Sequence, residues 1–237
     1  MGRSMKTFGL DRFREQLDAD VQRTRDIEDA LDAPIPDDCI ACISSLNKDQ
    51  QQILDTIMEH VKNDRPGAFF VDGPGGTGKT YLYNALFAEV HLMAKIVLPT
   101  ATSGIAASNI PSGRTTHSRF KLPVDLDSSL SCDIPKQGSL AALLRAATLL
   151  IWDEASMARK ENVEALDTLI RDLCDPDIIF GGKLIVFGGD FSQILPVVPH
   201  KSNREVVAYS LVSSKLWPQL TKFRLTENIR ARQDPAF

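Results

Sequence analysis

Cysteine is scarce in this chain. Four cysteines in 237 residues (Cys39, Cys42, Cys132 and Cys174) cannot supply the framework that staples small secreted domains, so the fold must rest on an apolar core. The Cys39-x-x-Cys42 pair has no second pair at zinc spacing. No apolar run approaches the roughly 18–20 residues of a membrane span, and the opening MGRSMKTFGLDRF lacks the apolar centre of a secretory leader. There is no excess of positive charge either. Lys plus Arg (27) against Asp plus Glu (31) leaves −4, which excludes a polycationic nucleic-acid coat but not a local basic groove. Internal repeats and low-complexity tracts are also missing. With 43% hydrophobic and 24% charged residues, what remains is a folded, intracellular, mixed α/β domain.

The first 44 residues read as an extension. The stretch from about 9 to 32 is highly charged, and its few apolar residues suit a helix with a thin apolar stripe. Pro34 and Pro36 break it. From Leu46 the pattern becomes regular. Asn47 caps a helix over about 48–63, and apolar strands at 68–71, 96–98, 149–152 and 184–187 alternate with helices near 81–94, 103–108, 140–147 and 160–174. A Pro/Ser-rich excursion runs from about 111 to 138. Near-continuous apolar strands separated by helices predict a parallel sheet covered on both faces, with Trp152 in its core.

Gly73-Pro74-Gly75-Gly76-Thr77-Gly78-Lys79-Thr80 matches GxxxxGK[ST], directly after an apolar strand and at the opening of a helix. Glycines there let successive N–H groups aim at one anion, and the helix adds its N-terminal partial charge. Lys79 is placed to reach the β- and γ-phosphates, and the Thr80 hydroxyl to ligate Mg²⁺. Asp153 and Glu154 end the strand over 149–152. Asp153 suits the cation opposite Thr80, and Glu154 suits a base for the attacking water. Asn47-Lys48-Asp49 begins like a guanine-reading NKxD, but its fourth residue is Gln50 and it precedes the loop. ATP is therefore the expected nucleotide.

Beyond these residues, several segments resemble helicase motifs. Leu46-Asn47-Lys48-Asp49-Gln50 resembles the Q-motif of superfamily-one helicases, and Thr102-Ser103-Gly104-Ile105-Ala106-Ala107 resembles motif Ia, with Thr115 to Pro123 the segment after it. Asp153 to Met157 resembles motif II, Gly188 to Val197 motif III, and Leu225 to Arg230 motif IV. In this order, over about 45–232, the set is similar to the petite-integration-frequency (PIF) family of 5′-to-3′ DNA helicases, including the Helitron-linked type of plants.

The resemblance implies a RecA-like P-loop NTPase fold for 45–237, the first of two such domains, with 1–44 a charged helical extension. It implies that Gln50 reads the adenine edge, that Gln193 contacts the γ-phosphate, and that Arg230 stabilises transition-state charge. It lays single-stranded DNA or a fork across Thr102, Ser103, Gly104, His117, Ser118, Phe120 and Lys121. The local Arg114, His117, Arg119, Phe120 and Lys121 agree, offering phosphate-binding groups and an aromatic for stacking. It further implies a monomer acting in the nucleus, or else the mitochondrion, in DNA repair, recombination and telomere maintenance. Without the second domain, weak turnover and no unwinding are expected. A nucleotide-binding module without motor activity is the alternative.

Overall fold

The computed structural model describes residues 25–123, 132, 134–191, 196 and 206–229. Residues 25–31 are helical and place Ile27 and Ala30 against the main core. The earlier part of the helix expected over 9–32 lies outside the described residues. Helix α1 (Asp37–Ser45) follows Pro36 and carries Asp37 and Asp38 in its first turn, where the helix dipole favours negative charge. It packs along the helix that follows the glycine-rich loop, with Cys39 and Cys42 buried. Burial pushes the Cys39 thiol up to about 11, so it behaves as a small apolar residue. The packed unit thus begins before residue 45.

Helix α2 (Lys48–Lys62) starts with a complete capping box. Asn47 Oδ1 accepts from the Gln50 N–H and Gln50 Oε1 accepts from the Asn47 N–H, both at 2.9 Å. Then come β1 (Gly67–Asp72), α3 (Lys79–Leu92), β2 (Val97–Ala101), α4 (Gly104–Ser108), β3 (Arg114–Thr115), α5 (Thr116–Phe120), α6 (Ser139–Ala146), β4 (Leu149–Asp153), α7 (Lys160–Leu173), β5 (Leu184–Gly189) and β6 (Thr221–Arg224). The six strands run in the order β3-β2-β4-β5-β1-β6, and every neighbouring pair is parallel.

Each central strand is apolar on both faces, and its side chains alternate between two cores. Phe70, Leu98, Leu150, Trp152, Ile185 and Phe187 face one side, covered by α6 and α7. Phe69, Val71, Val97, Ile151 and Val186 face the other, covered by α2 and α3. This is the signature of a sheet buried on both faces. Strands β3 and β6 escaped the sequence pattern because they are edge strands: β3 has two residues, and β6 exposes most of Thr221–Arg224.

A parallel sheet brings all its carboxyl ends to one edge, the usual ligand edge of open α/β sheets. Here that edge gathers Asp72 of β1, Ala101 of β2, Asp153 of β4 and Gly189 of β5. Strand β5 lies between β1 and β4, so the glycine-rich loop and Asp153 are separated by one strand that ends in two glycines. Everything expected of the phosphate site depends on that adjacency.

From the middle of α7, the buried Asp167 carboxylate holds a tight turn. Its Oδ1 accepts the Phe180 N–H at 2.6 Å, and both oxygens accept from Arg171 Nε at 3.0 and 2.9 Å. Phe180 and Gly181 both adopt positive φ there, 49° and 58°. Asp167→Ala leaves the Phe180 N–H unpaired in a buried place, a loss of about 2 kcal/mol. Thermal melting should fall by about 4–8 °C, with nucleotide affinity unchanged.

Candidate nucleotide site

The loop Gly73–Gly78 joins β1 to α3. Gly73 N–H donates to Gly189 O at 3.2 Å, fastening the start of the loop to the end of β5. Thr77 turns its hydroxyl back to Pro74 O at 2.8 Å and its N–H to the same oxygen at 3.3 Å. Gly78 sits at φ 79°, left-handed, immediately before the helix; a Cβ there would lie 2.4 Å from Gln50 Nε2. Only glycine fits both constraints. Lys79 Nζ donates to Gly73 O and to Pro74 O, so the ammonium stands at the mouth of the loop.

Pro74, Gly75, Gly76, Gly78, Lys79 and Thr80 line one wall of a cleft of about 690 Å³. Asp153, Glu154, Ser156, Gly189 and Asp190 line the same cleft. The elements read from sequence as the phosphate side are thus brought together. Asp153 is 6% exposed. Burial raises its pKa above the ordinary carboxylate value; the Glu154 N–H, donating to Oδ1 at 2.8 Å, and the nearby Lys79 charge pull it back.

Glu154 adopts φ 56°, a left-handed conformation that costs a non-glycine residue on the order of 1 kcal/mol. Neighbouring donors hold it. Thr102 Oγ1 donates to Glu154 O at 2.8 Å and accepts from Trp152 Nε1 at 3.0 Å. Ser103 Oγ donates to Glu154 Oε2 at 2.6 Å while capping α4 through the Ala106 N–H at 3.2 Å. Thr102 and Ser103, expected on a DNA strand, therefore turn their hydroxyls to the strand-end glutamate instead. Gly104 is exposed beside Ile105, which is 82% exposed.

Two further side chains are engaged within the protein. Gln50, expected at the adenine edge, is wholly buried, and its amide is bonded to the chain itself. Oε1 closes the capping box, and Nε2 donates to Thr77 O at 3.0 Å and Gly78 O at 3.3 Å. The side chain braces the phosphate loop from behind. Phe120, expected to stack on a base, is 1% exposed and packs in the core beside Trp152, with ring centroids 6.3 Å apart. Arg119 is also buried and donates to Ser112 O at 3.2 Å; burial, with Arg114 nearby, lowers its pKa to about 10. Ser118 and Lys121 are exposed and His117 half-buried, so of the DNA-facing set these and Gly104 keep a surface. Gln193 and Arg230 lie outside the described residues.

The motif reading also missed how the segment after β6 closes the site. Leu225 N–H donates to Asp72 O at 2.8 Å, and Thr226 Oγ1 to Asp49 Oδ2 at 3.2 Å. Asn47 Nδ2 donates to Glu227 Oε2 at 3.1 Å, and Ile229 N–H to Gly76 O at 3.0 Å. Four hydrogen bonds seat residues 225–229 on the end of β1, the capped end of α2 and the loop itself. Separations of about 150 to 180 residues leave no local signal of this.

The family profile described as PIF1-like helicase matches residues 45–236. The chain is 29% identical over 194 residues to the ATP-dependent DNA helicase PIF7 of Trypanosoma brucei brucei, covering 79% of this chain and 18% of that protein. It is 28% identical to the ATP-dependent DNA helicase RRM3 of Saccharomyces cerevisiae, covering 80% of this chain and 26% of that protein. Among solved structures, Pif1 helicase from Candida albicans superposes with a TM-score of 0.66 at 26% identity, covering 81% of this chain and 42% of that one. Pif1 helicase from Bacteroides in complex with ADP-AlF3 and ssDNA gives 0.64 at 26% identity, covering 78% and 43%. The chain spans about a sixth of the length of the curated relatives it matches first.

The geometry of Gln50 makes a distinguishing prediction. Gln50→Ala removes three hydrogen bonds around a buried loop, and melting should fall by about 4–8 °C with weaker binding of ATP and GTP alike. Loss of the preference for ATP over GTP at unchanged stability would restore the base-reading role.

Proposed function

The chain belongs to the PIF1-like helicase family, and from that membership we propose that it is the nucleotide-hydrolysing, DNA-facing part of an ATP-dependent DNA helicase. The observation that carries this reading is one cleft that joins the glycine-rich loop, Lys79 and Thr80 to Asp153 and Glu154 across the end of β5. Loop N–H groups and the start of α3 take the phosphates. Lys79 exchanges its bonds to Gly73 O and Pro74 O for oxygens of the β- and γ-phosphates.

The donor chemistry fits magnesium. A hydroxyl (Thr80) and a carboxylate (Asp153) are hard oxygen ligands lining one cleft, as that cation prefers. Magnesium, when bound with ATP, draws charge off the β- and γ-phosphate oxygens. Glu154 accepts the proton of the water that attacks the γ-phosphorus, giving ADP and inorganic phosphate. Its Oε2 is steadied by Ser103, which leaves the water proton to Oε1. In the whole protein, Gln193 and Arg230 would complete the γ-phosphate shell.

The same edge of the sheet carries Gly104, Ile105, His117, Ser118 and Lys121, and we place single-stranded DNA or a fork there. The proposed setting is the nucleus, acting on repair or recombination intermediates, with the helicase working as a monomer and unwinding 5′-to-3′.

Lys79→Ala should weaken ATP binding by at least about a hundredfold, or roughly 3 kcal/mol, at an unchanged melting temperature; titration with a fluorescent ATP analogue reads this. Glu154→Gln should keep ATP affinity while hydrolysis falls by about 10²–10⁴-fold, measured as phosphate release. An unchanged rate removes Glu154 as the base. These 237 residues should hydrolyse ATP at a measurable rate, read as phosphate release. Binding without any hydrolysis would favour a nucleotide-binding module over a motor.

A further inference from the structure

Tyr83 lies on α3 one turn beyond Thr80 and is 0% exposed. Its ring packs in the core formed by α2 and α3, yet its hydroxyl reaches the ligand edge of the sheet. A Cβ at Gly188 would lie 1.5 Å from that hydroxyl and 3.3 Å from Asp153 Oδ1. The phenol and the carboxylate therefore meet over a strand position that has no side chain.

The buried hydroxyl meets no partner at full hydrogen-bond geometry, yet it stands close enough to the Asp153 carboxylate for a hydrogen bond between them to act on both groups. Its pKa stands well above the ordinary tyrosine value, first through burial and then through the Asp153 charge beside it. A buried polar atom in this state calls for a reason. Phenylalanine would fill the same core volume without it. The acceptor beside the hydroxyl is the carboxylate already assigned to the cation.

We propose that Tyr83 is a positioning residue for the cation site, its hydroxyl orienting the Asp153 carboxylate from the core side through the gap left by Gly188. This rests on the reading of Asp153 as a cation ligand. Donors behind a ligating carboxylate fix which way it faces, and their removal weakens metal binding without touching the metal. Tyr83 and Gly188 then form one unit: the tyrosine needs the glycine, and any larger residue at 188 would push the hydroxyl off the carboxylate.

The test is Mn²⁺ binding to the ADP-loaded chain, followed by electron paramagnetic resonance of free Mn²⁺. Tyr83→Phe should keep the melting temperature and metal-free ADP affinity, and should weaken Mn²⁺ on the order of tenfold. Asp153→Asn serves as the control. If Asp153→Asn weakens Mn²⁺ and Tyr83→Phe does not, the positioning role is overturned while the cation site stands. If neither variant changes Mn²⁺ affinity, the cation reading fails and takes the proposal with it. Should Tyr83→Phe fold poorly, the pair Tyr83→Leu with Gly188→Ala fills the same space without a hydroxyl. Weakened Mn²⁺ in that folded pair supports the proposal, and parental affinity overturns it.

Discussion

The register of three adjacent strands governs this site. Strand β5 pairs in parallel with both β1 and β4, so the end of β1, where the phosphate loop begins, and the end of β4, where Asp153 stands, are two strand spacings apart, or about 10 Å. That span suits a bound polyphosphate with acid groups on its far side. The two glycines that end β5 keep the gap open, since side chains there would enter the cleft or collide with Tyr83 and Ser156. The apolar faces of the same strands supply the stability, and their carboxyl ends supply the chemistry.

The glutamate at the end of β4 shows how the loops around this edge are tied together. Its left-handed backbone is held by Thr102 while its side chain is held by Ser103, and both come from the loop after β2. Trp152 completes the connection by donating to Thr102 from within the core. A residue read as catalytic and a loop read as DNA-facing thus share hydroxyls. Any displacement of the loop must alter where Glu154 points.

Much of this was legible in the sequence, for physical reasons that differ by element. The buried strands announced themselves because a sheet covered on both faces demands unbroken apolar runs such as Leu149-Leu150-Ile151-Trp152. The loop 73–80 was legible because phosphate binding tolerates few backbone alternatives. What stayed hidden was orientation. Phe120 and Arg119 sit in a polar segment that suggests a surface, yet Phe120 turns inward to Trp152 and Arg119 is buried against Ser112 O. Gln50 looked like a ligand-reading amide because nothing local shows that Thr77 and Gly78, nearly thirty residues on, would present carbonyls to it. Nothing in the sequence singles out Tyr83 within the helix expected near 81–94, and its hydroxyl gained meaning only once Gly188 was seen across from it.

The seating of residues 225–229 has a mechanical corollary. With the Ile229 amide fastened to the Gly76 carbonyl, the backbone leaving the sheet is anchored at the rim of the anion cradle rather than at the periphery. Force applied along the polypeptide at that point is delivered to the cradle first, through that hydrogen bond. A lever attached there would tug on the nucleotide's own holder, and tightening of the holder would in turn reel in the lever.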